Sequence, residues 1–327
     1  MAQIHETFQW RSKMNKKLTI GMATYDDYDG VYFTIQSLRL YHDLDEKNVD
    51  LIVVDNNPSS KHGEETKKFV KNKIGGKYIP HSEKNSTSVR NLIFKNSQSK
   101  YTLCVDPHVM IVKNGINHLI NYFEDNPQNQ KNLVQGPLLY DDLKNLSTHF
   151  DPVWRSSMYG IWETDKKSLE KNLPFDIPMQ GLGVFACETS NWPGFNENFR
   201  GFGGEEGYIH EKFRQSGGRT ICLPQFKWIH RFNRPNGVPY PLKLEDRVWN
   251  YFIGWLEIYD DPNHQMILDI KNHFNDKIGV DKVNNIFQEA LKTHCGEGIA
   301  NSTILHKFPE KNKIKSLIKE IPVVEKL

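Results

Sequence analysis

Between residues 17 and 112, short apolar runs alternate with helix-length stretches, and that alternation leaves few architectures open to the chain. Residues 17–23 (KLTIGMA), 50–55 (DLIVVD) and 101–105 (YTLCV), with a shorter run at Tyr78-Ile79, read as buried strands. Between them Val31, Ile35, Leu38 and Tyr41 recur at helical spacing, and 62–73 is a lysine-rich helical stretch. Leu92, Ile93 and Phe94 fit the apolar face of a third helix, opened by residues 85–91. Strands alternating with such helices form βαβ units, so the expected fold class is α/β: a mostly parallel central sheet flanked by helices. Right-handed crossovers gather the loops at one sheet edge, which receives Thr24 and Tyr25, then Asp55, then Asp106 and His108.

Open α/β sheets bind ligands at that edge. A dinucleotide-binding fold fails on the first turn, GMATYDD, which lacks G-x-G-x-x-G, and no G-x-x-x-x-G-K-[ST] loop occurs. A bound diphosphate would therefore need a cation and basic side chains. Asp106-Pro107-His108 supplies a carboxylate and an imidazole two residues apart at a strand end, on one side of the chain. That pair suits Mn²⁺ or a similar ion, and His230 in KWIHRF is a candidate third ligand. Asp55 could accept from a base or ribose, and Arg90 could neutralise phosphate.

After residue 113 the alternation weakens. Residues 141–178, containing Trp154-Arg155 and Trp162, read as an irregular stretch and a candidate lid over the ligand. Residues 179–187 (MQGLGVFAC) are strand-like, with Gly181 and Gly183 permitting close approach. Gly203-Gly204-Glu205-Glu206 opens a helix that stops at Gly217-Gly218, and 244–259 and 263–293 read as two further helices. The expected organisation is an arm (1–16), a catalytic domain (17–243, with a nucleotide half 17–112 and an acceptor half 113–243) and a helical extension with a lysine-rich tail (244–327).

A formal charge of +2 rules out a global polyelectrolyte argument. Residues 61–100 nevertheless carry ten Lys/Arg against three Asp/Glu, which leaves room for an anionic partner. Cys104, Cys187, Cys222 and Cys295 form no C-x-x-C pair and read as reduced thiols. No run of 18 apolar residues and no leader-like segment occurs, so no transmembrane segment and a cytoplasmic location are expected.

In this order the features resemble the GT-A nucleotide-sugar glycosyltransferases, and most of all the polypeptide N-acetylgalactosaminyltransferases and related family-two bacterial enzymes. The resemblance covers about residues 17–235. It is carried by the Thr24 turn, Asp55, Arg90-Asn91, Asp106-Pro107-His108 in place of D-x-D, GLGVF at 181–185, GGEE at 203–206, Gly217-Gly218 and Ile229-His230-Arg231-Phe232. It implies that Thr24 and Asp55 contact the nucleoside, with Tyr25 beside them, and that Arg90 lies by the donor. Asp106, His108 and His230 would hold a divalent metal, Mn²⁺ ahead of Mg²⁺. The Gly181–Gly183 segment would face the sugar, with Trp154 and Arg155 closing over it. Arg231 or Arg234 would be the basic residue after the histidine. Glu205 and Glu206 would sit where transfer happens. Glu206 stands where inverting relatives carry a base and retaining ones an amide. The implied activity is metal-dependent transfer from a nucleotide-sugar donor, a UDP-sugar first, to an acceptor hydroxyl. A saccharide is the first acceptor and a hydroxymethylated DNA base the second. A nucleotide-sugar hydrolase and a non-catalytic sugar-nucleotide-binding module are the alternatives.

Overall fold

The structure, a computed structural model, describes residues 16–42, 44, 48–83, 86–234 and 237–296. The expected arm before residue 16 and the lysine-rich tail beyond residue 300 lie outside the described residues. The first half runs β1 (Leu18–Thr24), α1 (Tyr28–Tyr41), β2 (Val49–Asp55), α2 (Lys61–Lys68), β3 (Lys77–Pro80), α3 (Asn91–Asn96) and β4 (Tyr101–Val105). A π-helical turn, Phe69–Ile74, continues α2, and a 3-10 turn, Thr87–Arg90, leads into α3. Then come β5 (Val109–Ile111), α4 (Gly115–Asp125), β6 (Leu133–Gln135), β7 (Leu138–Leu139), β8 (Leu146–Ser147), β9 (His149–Arg155) and β10 (Met158–Glu163). The chain continues through α5 (Lys166–Glu170), β11 (Phe175–Asp176), β12 (Val184–Glu188), α6 (Glu206–Gln215), β13 (Thr220–Cys222) and β14 (Trp228–His230). Three helices close the described chain: α7 (Leu244–Tyr259), α8 (Gln265–Ile278) and α9 (Val280–Cys295).

Eight strands form the central sheet in the order β11-β13-β6-β12-β4-β1-β2-β3. β3, β2, β1 and β4 are parallel, as the βαβ pattern requires, while β12 runs antiparallel between β4 and β6. Strand alternation sends side chains to both faces. Leu18, Ile20 and Met22 of β1 pack with Val31, Ile35 and Leu38 of α1, whereas Ile52 and Val54 of β2 join Ile93 and Phe94 of α3 on the other face. Tyr41, expected on the buried face of α1, is instead 61% exposed, while Leu38 before it and His42 after it are buried.

Residues 141–178 are more ordered than their pattern suggests: β9 and β10 pair as an antiparallel hairpin, with a register shift between Tyr159 and Ile161. The helical stretch expected at 263–293 is two helices, α8 and α9, because Gly279 adopts a φ of 88° between them. Trp249, Phe252, Phe274 and Phe287 of α7–α9 share one core with Phe185, Tyr208 and Phe213. The segment beyond residue 244 is thus built into the same apolar interior as the sheet. Among the described residues no helix is long and apolar enough to cross a membrane.

Candidate active site

The parallel strands deliver their C-terminal ends to one edge, where Thr24 lies opposite Asp55 in the ladder. β4 continues into Asp106, whose N–H donates to Gly183 O at 2.8 Å. His108 then takes a left-handed conformation, φ 75°, unusual for a residue with a Cβ. Thr34 of α1 holds the kink: its Oγ1 accepts from the N–H groups of His108 (2.9 Å) and Val109 (3.0 Å) and donates to Val109 O (2.9 Å). β14 pairs antiparallel with β5, so His230 lies opposite Val109 and its ring meets that of His108. Gly183 makes the room. A Cβ there would come within 2.8 Å of Trp228 and 3.3 Å of His230.

One ligand atom each from Asp106, His108 and His230 fall within 4.8 Å of one another. His108 Nδ1 is 2.6 Å from Asp27 Oδ2, so the ring donates there and turns Nε2 inward, 3.2 Å from His230 Nε2. Burial outweighs the pull of Asp27 and lowers the His108 pKa, which favours the neutral ring that ligates metals. Burial would raise the Asp106 carboxyl, but Arg90, His230 and His108 outweigh it and hold the group well below the usual range. Two imidazole nitrogens facing each other beside an ionised carboxylate form a donor set suited to a divalent transition ion. The Asp27–His108 contact is the outer-shell arrangement that fixes a ligating histidine's tautomer.

Behind this trio Arg90, 6% exposed, donates Nη2 to Asp106 Oδ1 at 2.9 Å, and its Nη1 lies 3.7 Å from Glu205 Oε1. Glu205 is 1% exposed, and its Oε2 has no partner. Burial first, then the neighbouring Glu206 charge, push its pKa from 4.5 up to about 8 against the opposing pull of Arg90. Glu206, half-buried, is raised by burial as well, with Arg247 and Arg90 opposing. The loop carrying them turns at Gly203 and Gly204 (φ 98° and 93°), where a Cβ on Gly203 would stand 2.5 Å from Arg247 Nε.

Residues 19–180 match the sequence pattern of Glycosyl transferase family 2. In three dimensions the chain resembles GalNAc-T7, solved with UDP, GalNAc and Mn²⁺, at a TM-score of 0.59 and 13% identity, over 86% of this chain and 58% of that one. It also resembles S. aureus TarS in complex with UDP-GlcNAc (TM-score 0.52, 13% identity, 85% of this chain and 80% of that one). The mannosyltransferase PcManGT from Pyrobaculum calidifontis, in complex with GDP-Man and Mn²⁺, is similar too (0.52, 11%, 89% and 79%). This is the GT-A fold. No curated protein matches it in sequence.

The site opens into a cleft of about 260 Å³. Thr24, Tyr25, Arg90, Asp106, His108 and Arg234, all singled out in the sequence, line it. Asp27, Asn56, Thr87, Tyr240, Lys243 and Asp246, which no sequence motif marks, line it too. Asp27 carried a readable signal, since it sits in the first βα turn three residues after Thr24. Lys243 and Asp246, at the start of α7, carried none.

Other expected donor residues lie elsewhere. Asp55 is buried, its oxygens accepting from Tyr78 Oη (2.7 Å) and Asn57 N–H (2.9 Å). Gly181 faces Trp162 and Phe150, not the cleft, because the strand-like run turns it to that side. Trp154 is packed against Tyr159, Tyr251, His273 and Phe274, and neither it nor the exposed Arg155 lines the cleft. Arg231 is exposed, and only its backbone touches the site, donating to His108 O at 3.1 Å. Arg234 does line the cleft, 3.8 Å from Asp27.

α7 anchors the glutamate loop. Buried Asn250 accepts from Arg200 N–H at 2.7 Å and donates to Arg200 O (2.7 Å) and Gly203 O (2.8 Å). Arg247 reaches across to Ser157 Oγ at 2.9 Å, joining the β9–β10 hairpin to the same loop. Asn250→Ala strands three backbone groups and is expected to lower stability by about 3 kcal/mol, read from urea denaturation. A loss under about 0.5 kcal/mol would show that water replaces the amide.

Proposed function

We propose that the protein transfers a sugar from a nucleotide-sugar donor, UDP-linked, to an acceptor hydroxyl, a saccharide in the first instance, with a divalent cation held by Asp106, His108 and His230. The observation that carries this reading is the trio itself, its ligand atoms within 4.8 Å beside Arg90 and the buried Glu205. The nucleotide sugars and Mn²⁺ bound by the similar structures support it. When bound, the cation supplies positive charge to the leaving diphosphate.

The chain's own groups do the rest. Arg90, Arg234 and Lys243 add positive charge to the cleft. Asp27 fixes the His108 ring, while Glu206 is the group assigned to take the acceptor hydroxyl proton. Glu205, protonated near neutral pH by its burial, leaves that ionised role to its neighbour.

Asp27→Asn removes an orienting carboxylate without touching a ligand. It is expected to raise the Mn²⁺ concentration for half-maximal activity by about 10- to 100-fold. An unchanged Mn²⁺ titration would remove Asp27 from the assembly. The function itself is tested by incubating the protein and Mn²⁺ with UDP- and GDP-sugars, with and without saccharide acceptors, and weighing the products. Free sugar formed at the same rate in both cases would make the protein a hydrolase.

A further inference from the structure

A sheet that packs on a core by one face usually turns apolar side chains inward and polar ones outward. The small sheet of β5, β14, β7 and β8 departs from that pattern. Its inner face is the expected one: Val109 and Ile111 of β5, Trp228 of β14 and Leu138 of β7 are buried. Its outer face is apolar as well. Met110 lies opposite Ile229, Ile229 opposite Leu139, and Leu139 opposite Leu146. Paired residues share a face, so one row of aliphatic and thioether side chains crosses all four strands. Met110 is 49% exposed, and the other three are half-buried. Leu143 in the β7–β8 turn and Phe232 just past β14 add exposed apolar side chains at the margins. An apolar row left open on a sheet face is a contact surface in want of a partner.

The rim of this row is basic. Lys227 stands two residues before Ile229, on the same side of the chain by strand alternation. Arg231 follows β14, Lys113 follows β5 and Lys144 sits in the β7–β8 turn, all three exposed. Among the described residues no ion pair engages any of the four. The acids in the β7–β8 turn are Asp141 and Asp142, and Asp142 Oδ1 already accepts from the N–H groups of Lys144 and Asn145, each at 2.9 Å.

We propose that this face seats the protein on the surface of a bilayer that contains anionic phospholipid. Acyl chains take the apolar row, and the headgroup phosphates take the cations around it. Other occupants fit less well. A second copy of the chain on the same face would set these cations against one another. A nucleic acid would pair with the rim and leave the row, which offers no hydrogen-bonding group, without a complement. Phe232 lies against His230, ring centroids 4.2 Å apart, so the seated face is continuous with the candidate metal site. Binding there needs neither donor nor metal, and its failure would leave the nucleotide-sugar reading untouched.

Co-sedimentation of the full chain with vesicles tests this, using phosphatidylcholine alone and an equimolar mixture with phosphatidylglycerol. The parent protein is expected to bind the mixed vesicles about tenfold or more tighter than the neutral ones. Lys113→Glu with Lys144→Glu is expected to weaken mixed-vesicle binding by about 30-fold, at about fivefold for each lysine lost. Met110→Glu, which sets a charge in the row, is expected to weaken it by about tenfold. The same charge change on α2, Lys67→Glu with Lys71→Glu, lies on another surface and is expected to cost less than about threefold. All of these side chains are exposed, so the fold is not at stake. Hydrogen exchange with and without mixed vesicles locates the contact, with protection expected over residues 140–145 and 231–234. A parent protein that ignores mixed vesicles overturns the inference, as does unchanged binding in Met110→Glu. An α2 pair that loses as much as the rim pair would make the binding one of net charge alone. Protection confined to residues 297–327 would move it to the lysine-rich tail. Either result overturns the assignment of this face.

Discussion

Glu206→Gln is expected to lower turnover by about 10²–10⁴-fold, the usual worth of a general base, while the affinity for UDP in Mn²⁺ stays that of the parent. The two glutamates are adjacent in sequence but not equivalent. Glu205 is sealed beside Arg90, and its pKa of about 8 leaves it mostly protonated at neutral pH, so Glu205→Gln is close to isoelectronic there. That variant is expected to retain most activity, and the contrast between the two identifies which carboxylate ionises for catalysis. Because burial raises Glu206 as well, the acidic limb of the rate profile should lie above the range of an ordinary glutamate, with activity rising as pH increases through it.

Stability moves the other way. The folded state keeps the Glu205 proton up to about 8 whereas the unfolded chain releases it near 4.5. The stabilisation is therefore complete below the lower value and is lost as pH rises through the higher one. Glu205→Gln should flatten that slope. Unchanged turnover in Glu206→Gln sinks the base assignment.

Asp106→Ala is expected to be as damaging, for two separable reasons. It removes a ligand from the Asp106–His108–His230 trio, and it leaves the Arg90 guanidinium buried without its partner at 2.9 Å. Loss of metal assistance costs several kcal/mol of transition-state stabilisation, or about 10³-fold or more in rate. His230→Ala leaves the Arg90–Asp106 pair intact, so excess Mn²⁺ should restore more activity to it than to Asp106→Ala. Chelator should abolish activity in the parent protein and added Mn²⁺ should return it. Direct titration of Mn²⁺ into the protein, followed by electron paramagnetic resonance, reads the same loss without any donor. Full turnover in excess chelator would refute the metal reading.

How much of this was legible depended on the range of the interaction concerned. The alternation of apolar runs determined the βαβ half, and parallel strands with same-handed crossovers then brought Thr24, Asp106 and His108 to one edge without knowledge of any contact. The helix opened by GGEE was legible too, because glycines at positive φ before a helix start are a local requirement.

Side-chain partnerships were not legible. Asp55 looked available at its strand end, but the Tyr78 hydroxyl that binds it comes from the neighbouring strand, 23 residues on. Trp154 looked like part of a lid because nothing local shows that α7 and α8 supply Tyr251 and Phe274 against it. Lys243, Asp246 and Asn250 belong to a helix whose own pattern says only that one face is apolar. The sequence by itself determined the sheet, its ligand-binding edge and the metal-type residues, because backbone periodicity and strand polarity are encoded within a few residues. The tertiary structure alone decided which carboxylates are already spent and which helix holds the glutamate loop, since each depends on a hydrogen bond or packing contact between segments far apart in the chain.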